Sequence, residues 1–402
     1  MVDIKAFLDR YDNSVYDIRQ TKYIRFVDQK CTPDIVCFIA DCILNTEYAT
    51  KPFTKNDIWH TNYFKENTRI VYHKPYSDNP KAAREYDKIA SQPLTLLACA
   101  NVLSRVKDGN AWVYSINNQE LLEYIALKEK YTYNFLLAFF SKVIEASGMS
   151  SWFKEYIEMC KTDTIQAHAT LYGRFRKLAL SIKNNRAEDD DENESDRMMH
   201  KILNVLALNG QYPGSNRKIP TWADLMYNKP NRRDSNRTDK ALTREEASKQ
   251  EAKEINEKFY IGYIVAKAKR YVHKKQGDIS EVEDELAQGK ATAVHHIFPQ
   301  SKYPIIASYY ENLILLTANQ HYQKAHPNNN TQIVSKEYQY ICLMAKSQTI
   351  EKYLAAKDDD FYSKEKFIFV INTGLNDVVS LDERSTFDEI RKYLTYEYIQ
   401  KE

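Results

Sequence analysis

"ATAVHHIFPQSKYPIIASYYENLILLTANQHYQKAHP", residues 291–327, is the segment from which the rest of the chain can be interpreted. "ATAV" makes a short strand leading into His295 and His296, and "NLILLT" (312–317) makes a second, buried one. Thr317 and Gln320 stand in capping-box spacing at the head of a helix that Pro327 stops. The order strand, loop, strand, helix turns His321 back toward the adjacent pair. Consecutive strand residues point to opposite faces. One imidazole can therefore hold a metal ion while its neighbour stays free to take a proton, a task suited to an unperturbed pKa of about 6.5. His326 follows His321 by five residues, about 140° around an α-helix. That position favours a phosphate contact or a helix-end role for this accessory His326, with a third metal ligand as the alternative.

These residues resemble the HNH, or ββα-metal, endonucleases. In that family a His or Asp followed by His and an apolar residue ends the first strand, an Asn opens the second, and a His or Asn nine residues later sits on the helix. Here those positions are His295, His296, Asn312 and His321. "HIFPQS" is similar to the HNH module of CRISPR effector nucleases, and the paired histidines to those of the colicin DNases. The likeness covers roughly 36 of the 402 residues. It implies His295 and His321 as metal ligands, His296 as general base, and Asn312 as an amide that hydrogen-bonds across the loop carrying His296 and fixes its ring. It also implies one divalent ion and in-line hydrolysis of a phosphodiester to 5′-phosphate and 3′-hydroxyl ends. The family's frequent use of Mg²⁺ makes that the expected ion in cells, although two imidazoles suit Mn²⁺, Ni²⁺ or Zn²⁺ better. Family members that carry C-x-x-C zinc knuckles differ from this chain, whose frame must be held by packing. Gln300, Ser301 and Lys302 are either phosphate contacts or part of a solvated loop.

Composition bounds the alternatives. Lys and Arg number 57 against 55 Asp and Glu, a net +2, so there is no global field for nucleic acid or membrane and charge must be read regionally. No apolar run approaches the roughly 18–20 residues that cross a bilayer, and "MVDIKAFLDRYDNS" carries acids where a secretory signal is basic and then apolar. A cytoplasmic protein without membrane partners is expected. The six cysteines include no C-x-x-C pair and read as reduced, mostly buried thiols. Thirty tyrosines and nine glycines suit a helix-rich chain, and no phosphate-cradling glycine motif occurs.

Along the chain, helices are expected over 31–46, 53–64 (capped by Thr54) and part of 79–103, where Pro93 must interrupt or restart the last. "VLSRV" and "AWVYSI" then alternate as strands around "KDGN", a hairpin in which Asp108-Gly109 can take positive φ. Three helices closed by a hairpin look like a winged-helix domain, with an ordinary helical domain bearing one hairpin as the alternative; Arg105 and Lys107 are its candidate DNA contacts. Residues 117–184 read as core helices. The run "EDDDENESD" (188–196) holds seven acids and reads as a solvated loop. Between 211 and 250 nine basic residues face five acids, and Arg232, Arg233 and Arg237 lie in a segment able to follow phosphates, or in a basic surface linker. "TREE" (243–246) opens a long helix that Gly277 stops. Beyond the motif, 335–357 reads as helix, 366–374 as strand and 385–400 as a helix capped by Ser385; these dress the module or build a subunit interface.

The expected fold is mainly α with small β elements (α+β): a winged-helix-like recognition domain (1–118), a helical support (119–184), an acidic loop and basic linker (185–241), an HNH module with its leading helix (242–330) and a C-terminal extension (331–402). The architecture looks like a type II restriction endonuclease of the HNH class acting on double-stranded DNA. Cutting both strands suggests a homodimer, and the class suggests a cognate DNA methyltransferase encoded nearby. A modification-dependent, phage-defence or homing nuclease, and a non-catalytic DNA-binding regulator, are the alternatives.

Overall fold

A computed structural model describes residues 2–72, 83–182, 188–227, 261–326, 334–356, 361–376 and 381–400. The chain is mainly helical with two small antiparallel sheets, and it divides into two compact units at Leu242/Thr243. Among the described residues no helix is long and apolar enough to cross a membrane.

In the first unit two short helices, α1 (Ile4–Leu8) and α2 (Ile18–Thr21), precede α3 (Pro33–Leu44), where Pro33 supplies a preorganised first helical residue. Thr54 and Asp57 form a reciprocal capping box for α4 (Lys55–Trp59). The helix expected over 53–64 starts only at Lys55, because Phe53 and Thr54 are drawn into a strand, β1 (Phe53–Thr54), and it breaks after Trp59 and restarts as α5 (Asn62–Tyr72). Pro93 does not interrupt α6 (Ala83–Cys99). Burial of Ile89, Ala90, Leu94, Leu96 and Leu97 against the core overrides a local cost of about 3 kcal/mol. The hairpin forms from β2 (Leu103–Asp108) and β3 (Ala111–Ile116), with Gly109 at φ +54° while Asp108 stays in the strand. β1 adds to the far edge of β3, giving the order β1-β3-β2.

Helices α7 (Gln119–Leu127), α8 (Glu129–Ala146), α9 (Ser150–Cys160) and α10 (Thr164–Ile182) carry the aromatic core of this unit, including Phe135, Phe139, Phe140 and Phe175. The acidic run is not a loop. It begins α11 (Glu188–Gly210), in which Glu194 and Ser195 are buried and Asp196 takes both ends of the Arg176 guanidinium at 2.8 and 2.7 Å. Acids favour the positive end of a helix, and the apolar row Met198, Met199, Ile202, Leu203 anchors the remaining turns. α12 (Trp222–Leu225) ends the described part, so Arg232, Arg233 and Arg237 lie outside the described residues, as does "TREE". None of the six cysteines is in a disulfide, and four of them are buried.

The second unit begins with α13, helical over 261–276 and ended by Gly277 at φ +71°. β4 (Ala291–His296) pairs antiparallel with β5 (Leu313–Thr317), and α14 (Ala318–Gln320) follows directly. α15 (Lys336–Ala356), α16 (Lys364–Leu375) and α17 (Phe387–Thr395) pack around them. The strand expected over 366–374 is helix α16. Its buried residues Phe367, Val370, Ile371 and Gly374 recur at 3.6-residue spacing, and Ser363 caps its start. Thr386 rather than Ser385 caps α17, with Glu389 completing the box.

One buried ion pair ties these layers. Lys346 of α15 is fully buried, with its ammonium 2.6 Å from Glu281 Oε2 and donating to Tyr362 at 3.2 Å. Glu281 Oε1 in turn accepts from the Leu315 amide of β5 at 2.9 Å. Removing one partner leaves a buried charge unmatched, which costs about 3–5 kcal/mol, whereas replacing both with apolar residues is often neutral. Lys346→Met is therefore expected to lower the opening free energy of the Leu313–Thr317 amides in native-state hydrogen exchange by that amount, and Lys346→Met with Glu281→Leu to recover most of it.

Candidate metal centre

The β4–β5 hairpin is closed by a long loop, residues 297–312, and Asn312 holds it shut. This side chain is fully buried. Its Oδ1 accepts from the Phe298 amide at 2.9 Å, and its Nδ2 donates to the carbonyls of Phe298 (3.1 Å) and Ile306 (3.2 Å). The Ile297 amide donates to the Asn312 carbonyl at 2.9 Å, and Gln339 of α15 donates to the Ile297 carbonyl at 2.6 Å. Phe298 lies against α16 at Gly374, where an added Cβ would stand 2.3 Å from its ring. Loop, strand and helix are thus fixed within one layer of contacts.

The clamp sets the direction of His296. Its Nε2 lies 3.0 Å from the carbonyl of Ala307, on the clamped loop, and can only donate there, so Nδ1 carries the lone pair. The orientation expected from Asn312 itself is made one step removed, through the backbone it holds. His296 is half-buried while its neighbour His295 is buried on the other face of β4, the divergence that alternation requires.

His295 does not stand alone. The ring centroids of His295, His321 and His326 lie 5.2, 4.9 and 4.7 Å apart pairwise, and one nitrogen from each falls within 4.8 Å of the others. His326 thus stands beside the two expected ligands, the alternative left open for it, although an α-helix would carry it away from His321. The helix here is not α. Thr317 and Gln320 cap α14 as expected, but residues His321–Ala325 form a π-turn. In a π-turn hydrogen bonds span five residues, which brings positions i and i+5 together. Gln320 roots the turn: fully buried, it accepts from Ser280 Oγ (2.6 Å) and the Thr317 amide (3.0 Å) and donates to Val282 (2.8 Å) and Asp284 (2.9 Å).

Two ring nitrogens in the cluster, His295 Nε2 and His321 Nδ1, are buried without a hydrogen-bond partner among the described residues. Burial is the first cause that keeps these rings unprotonated. It pushes His295 well below the usual histidine value, with the neighbouring imidazoles adding to the effect, and takes His321 down to about 4. His296 is also lowered to about 4, first by desolvation and then by the charge of Lys269, against a smaller opposing effect from Ala307. Neutral imidazoles with inward lone pairs fit a cation, and three of them fit a borderline ion better than Mg²⁺.

The other expected contacts are dispersed. Ser301 and Lys302 are exposed on the loop and Gln300 is half-buried beside them; the Lys302 ammonium sits 5.3 Å over the Tyr303 ring. Arg105 and Lys107 belong to the hairpin of the first unit. The Arg105 guanidinium lies between Tyr23 (4.9 Å) and Trp112 (4.7 Å), and Lys107 is exposed with its ammonium 5.6 Å from Trp112. The Ala307 carbonyl and Lys269 are what sequence reading misses. For His326, a third ligand only as the alternative, the H-x-x-x-x-H spacing is the available signal, and assuming an α-helix weakens it.

No protein-family model, curated protein or solved structure matches the chain. The geometry therefore has to support any functional conclusion. If the three imidazoles bind one ion, titration of metal-free protein with Zn²⁺ or Co²⁺ should give a single site per chain. His326→Ala should then weaken it by more than the roughly 10–100-fold that losing an outer partner costs, while His296→Ala leaves it intact.

Proposed function

We propose that the chain is a metal-dependent endonuclease that hydrolyses phosphodiester bonds of double-stranded DNA. One observation carries this reading: a strand, loop, strand, helix frame presents three imidazoles at metal-ligand spacing and, on the next residue, a fourth imidazole whose free nitrogen is fixed by the Ala307 carbonyl. The buried, unpartnered nitrogens of His295 and His321 have no purpose in a purely structural frame and would cost stability there.

His295, His321 and His326 would hold the ion, which when bound supplies charge stabilisation at the scissile phosphate. Three imidazole donors favour Zn²⁺, Ni²⁺ or Mn²⁺ over the Mg²⁺ that the family resemblance suggests. His296 takes the proton of the attacking water at Nδ1 and passes positive charge toward the Ala307 carbonyl through Nε2–H. Its low proton affinity in the empty site keeps it a free base at neutral pH, and the arriving phosphate, being anionic, raises that affinity toward the range where proton transfer is efficient. Asn312 acts through position alone, by keeping the carbonyl of residue 307 where the ring needs it. The products would be 5′-phosphate and 3′-hydroxyl ends.

Recognition falls to the first unit. The succession α3, β1, α4, α5, α6, β2, β3, with β1 on the far edge of β3, supports a winged-helix reading, in which Lys107 and the exposed Trp112 would lie on the outer part of the wing. A type II restriction-like enzyme, paired with a methyltransferase and acting as a homodimer on a near-palindromic site, is the form that best uses such a unit together with a small cutting module.

The reading is tested by incubating plasmid DNA of varied sequence with the protein plus Mg²⁺, Mn²⁺, Ni²⁺, Zn²⁺ or EDTA. Discrete fragments are expected with at least one borderline ion and none with EDTA. His296→Ala should lower the cleavage rate by about 10²–10⁴-fold, the usual share of a general base, with duplex binding retained. Metal-independent or undiminished cutting by that variant would remove the assignment.

A further inference from the structure

Buried lysines in this protein have partners. Lys346 has Glu281, Lys30 has Glu85, and the partly buried Lys142 has Asp9. Lys269 differs. It is half-buried on α13, on the same face as the buried residues Val265 and Val272, yet among the described residues no carboxylate, carbonyl or hydroxyl receives its ammonium. A desolvated charge left unmatched is destabilising, so its retention calls for an anion that arrives from outside.

Its position says where. His273, one turn further along α13, meets the Ala291 carbonyl at 3.2 Å, which sets the helix beside the start of β4. Lys269 lies one turn back from that contact, about 6 Å along the axis, and its stem leans further toward the helix start. β4 meanwhile climbs about 3.3 Å per residue from Ala291 to His295 and His296. The charge of Lys269 also acts on His295, His296 and His321 together. Among the described residues, the leading charges acting on these three rings are cationic or imidazole groups and not carboxylates. With a dication on the imidazoles the site would be strongly positive, and a phosphate bridging ion and ammonium balances it.

We propose that Lys269 is the phosphate-holding residue of this site, its ammonium donating to a nonbridging oxygen of the phosphodiester presented to the histidine cluster. This rests on the nuclease reading for the identity of the phosphate, but not for the anion contact itself. Lysine serves here as a point charge that follows the oxygen as charge grows on it.

The test measures the dissociation constant of inorganic phosphate by ³¹P line broadening for wild type, Lys269→Met and Lys269→Arg, each with one equivalent of Zn²⁺ and again without metal. Lys269→Met should weaken phosphate binding tenfold or more, and Lys269→Arg should restore part of it. Zn²⁺ affinity should be equal or tighter in Lys269→Met, and its thermal midpoint no lower than wild type, because an unmatched charge has been removed. Unchanged phosphate binding by Lys269→Met, or no phosphate binding by wild type in either form, overturns the proposal. So does a joint loss of phosphate binding, Zn²⁺ binding and thermal midpoint, which marks a structural lysine. Should neither protein bind Zn²⁺, the metal reading fails by itself. The metal-free comparison then still decides Lys269: a tenfold difference upholds it and equality removes it.

Discussion

The site depends on a single buried amide. Asn312 closes a sixteen-position loop by three side-chain hydrogen bonds, and nearly everything that gives His296 a direction passes through them. The loop's far point, Ala307, orients the ring; its near point, Phe298, is pressed into the place that Gly374 leaves open on α16. An amide suits this because it donates and accepts from one rigid group, satisfying a backbone N–H and two carbonyls that the closed loop would otherwise bury unpaired. A carboxylate could not donate to the two carbonyls, and an apolar residue would leave all three backbone groups without partners.

A second such amide, Gln320, does for the helix what Asn312 does for the loop. Its four partners come from the 280–284 segment and from Thr317, so the adjoining π-turn starts from a fixed point. The two amides lie on either side of β5, whose five residues are all buried, and β5 is held from beneath by the Glu281–Lys346 pair. The histidines are therefore mounted on elements whose polar groups are already satisfied. Such mounting is required where imidazoles must keep their geometry without bonding to one another.

How much of this can be read from residues alone depends on the range of the interactions involved. The β4–β5 pair, the cap at Thr317, the divergence of His295 and His296 and the loop-spanning character of Asn312 depend on neighbours or on a short fixed spacing. All are legible. The convergence of His326 is not, since an α-helix and a π-turn share one local pattern and differ only in what packs beside them. Residues 366–374 mislead for a similar reason: "FIFVI" is apolar on every side, which hides a period of 3.6, and only the burial of Phe367, Val370, Ile371 and Gly374 reveals it. The acidic run looks solvated because its composition outweighs the apolar row after it, whereas in the fold that row carries the run into α11. Lys269 offers no signal at all, for its partnerlessness is a property of three dimensions.

The cluster's composition bears on which ion it would take. Two buried nitrogens without partners are unfavourable, at about 1–3 kcal/mol for each unsatisfied group, and the rings cannot relieve this by taking up protons, because burial and the Lys269 charge oppose it. A Lewis acid that accepts nitrogen donors would relieve it. A hard ion such as Mg²⁺ keeps its waters and gains little from imidazole, whereas Zn²⁺, Ni²⁺ or Mn²⁺ exchange water for nitrogen readily. The same dryness that makes the empty cluster unfavourable thus makes it selective. Exposed histidines would titrate near neutrality and lose an ion to protons, whereas burial holds His295 and His321 below that range.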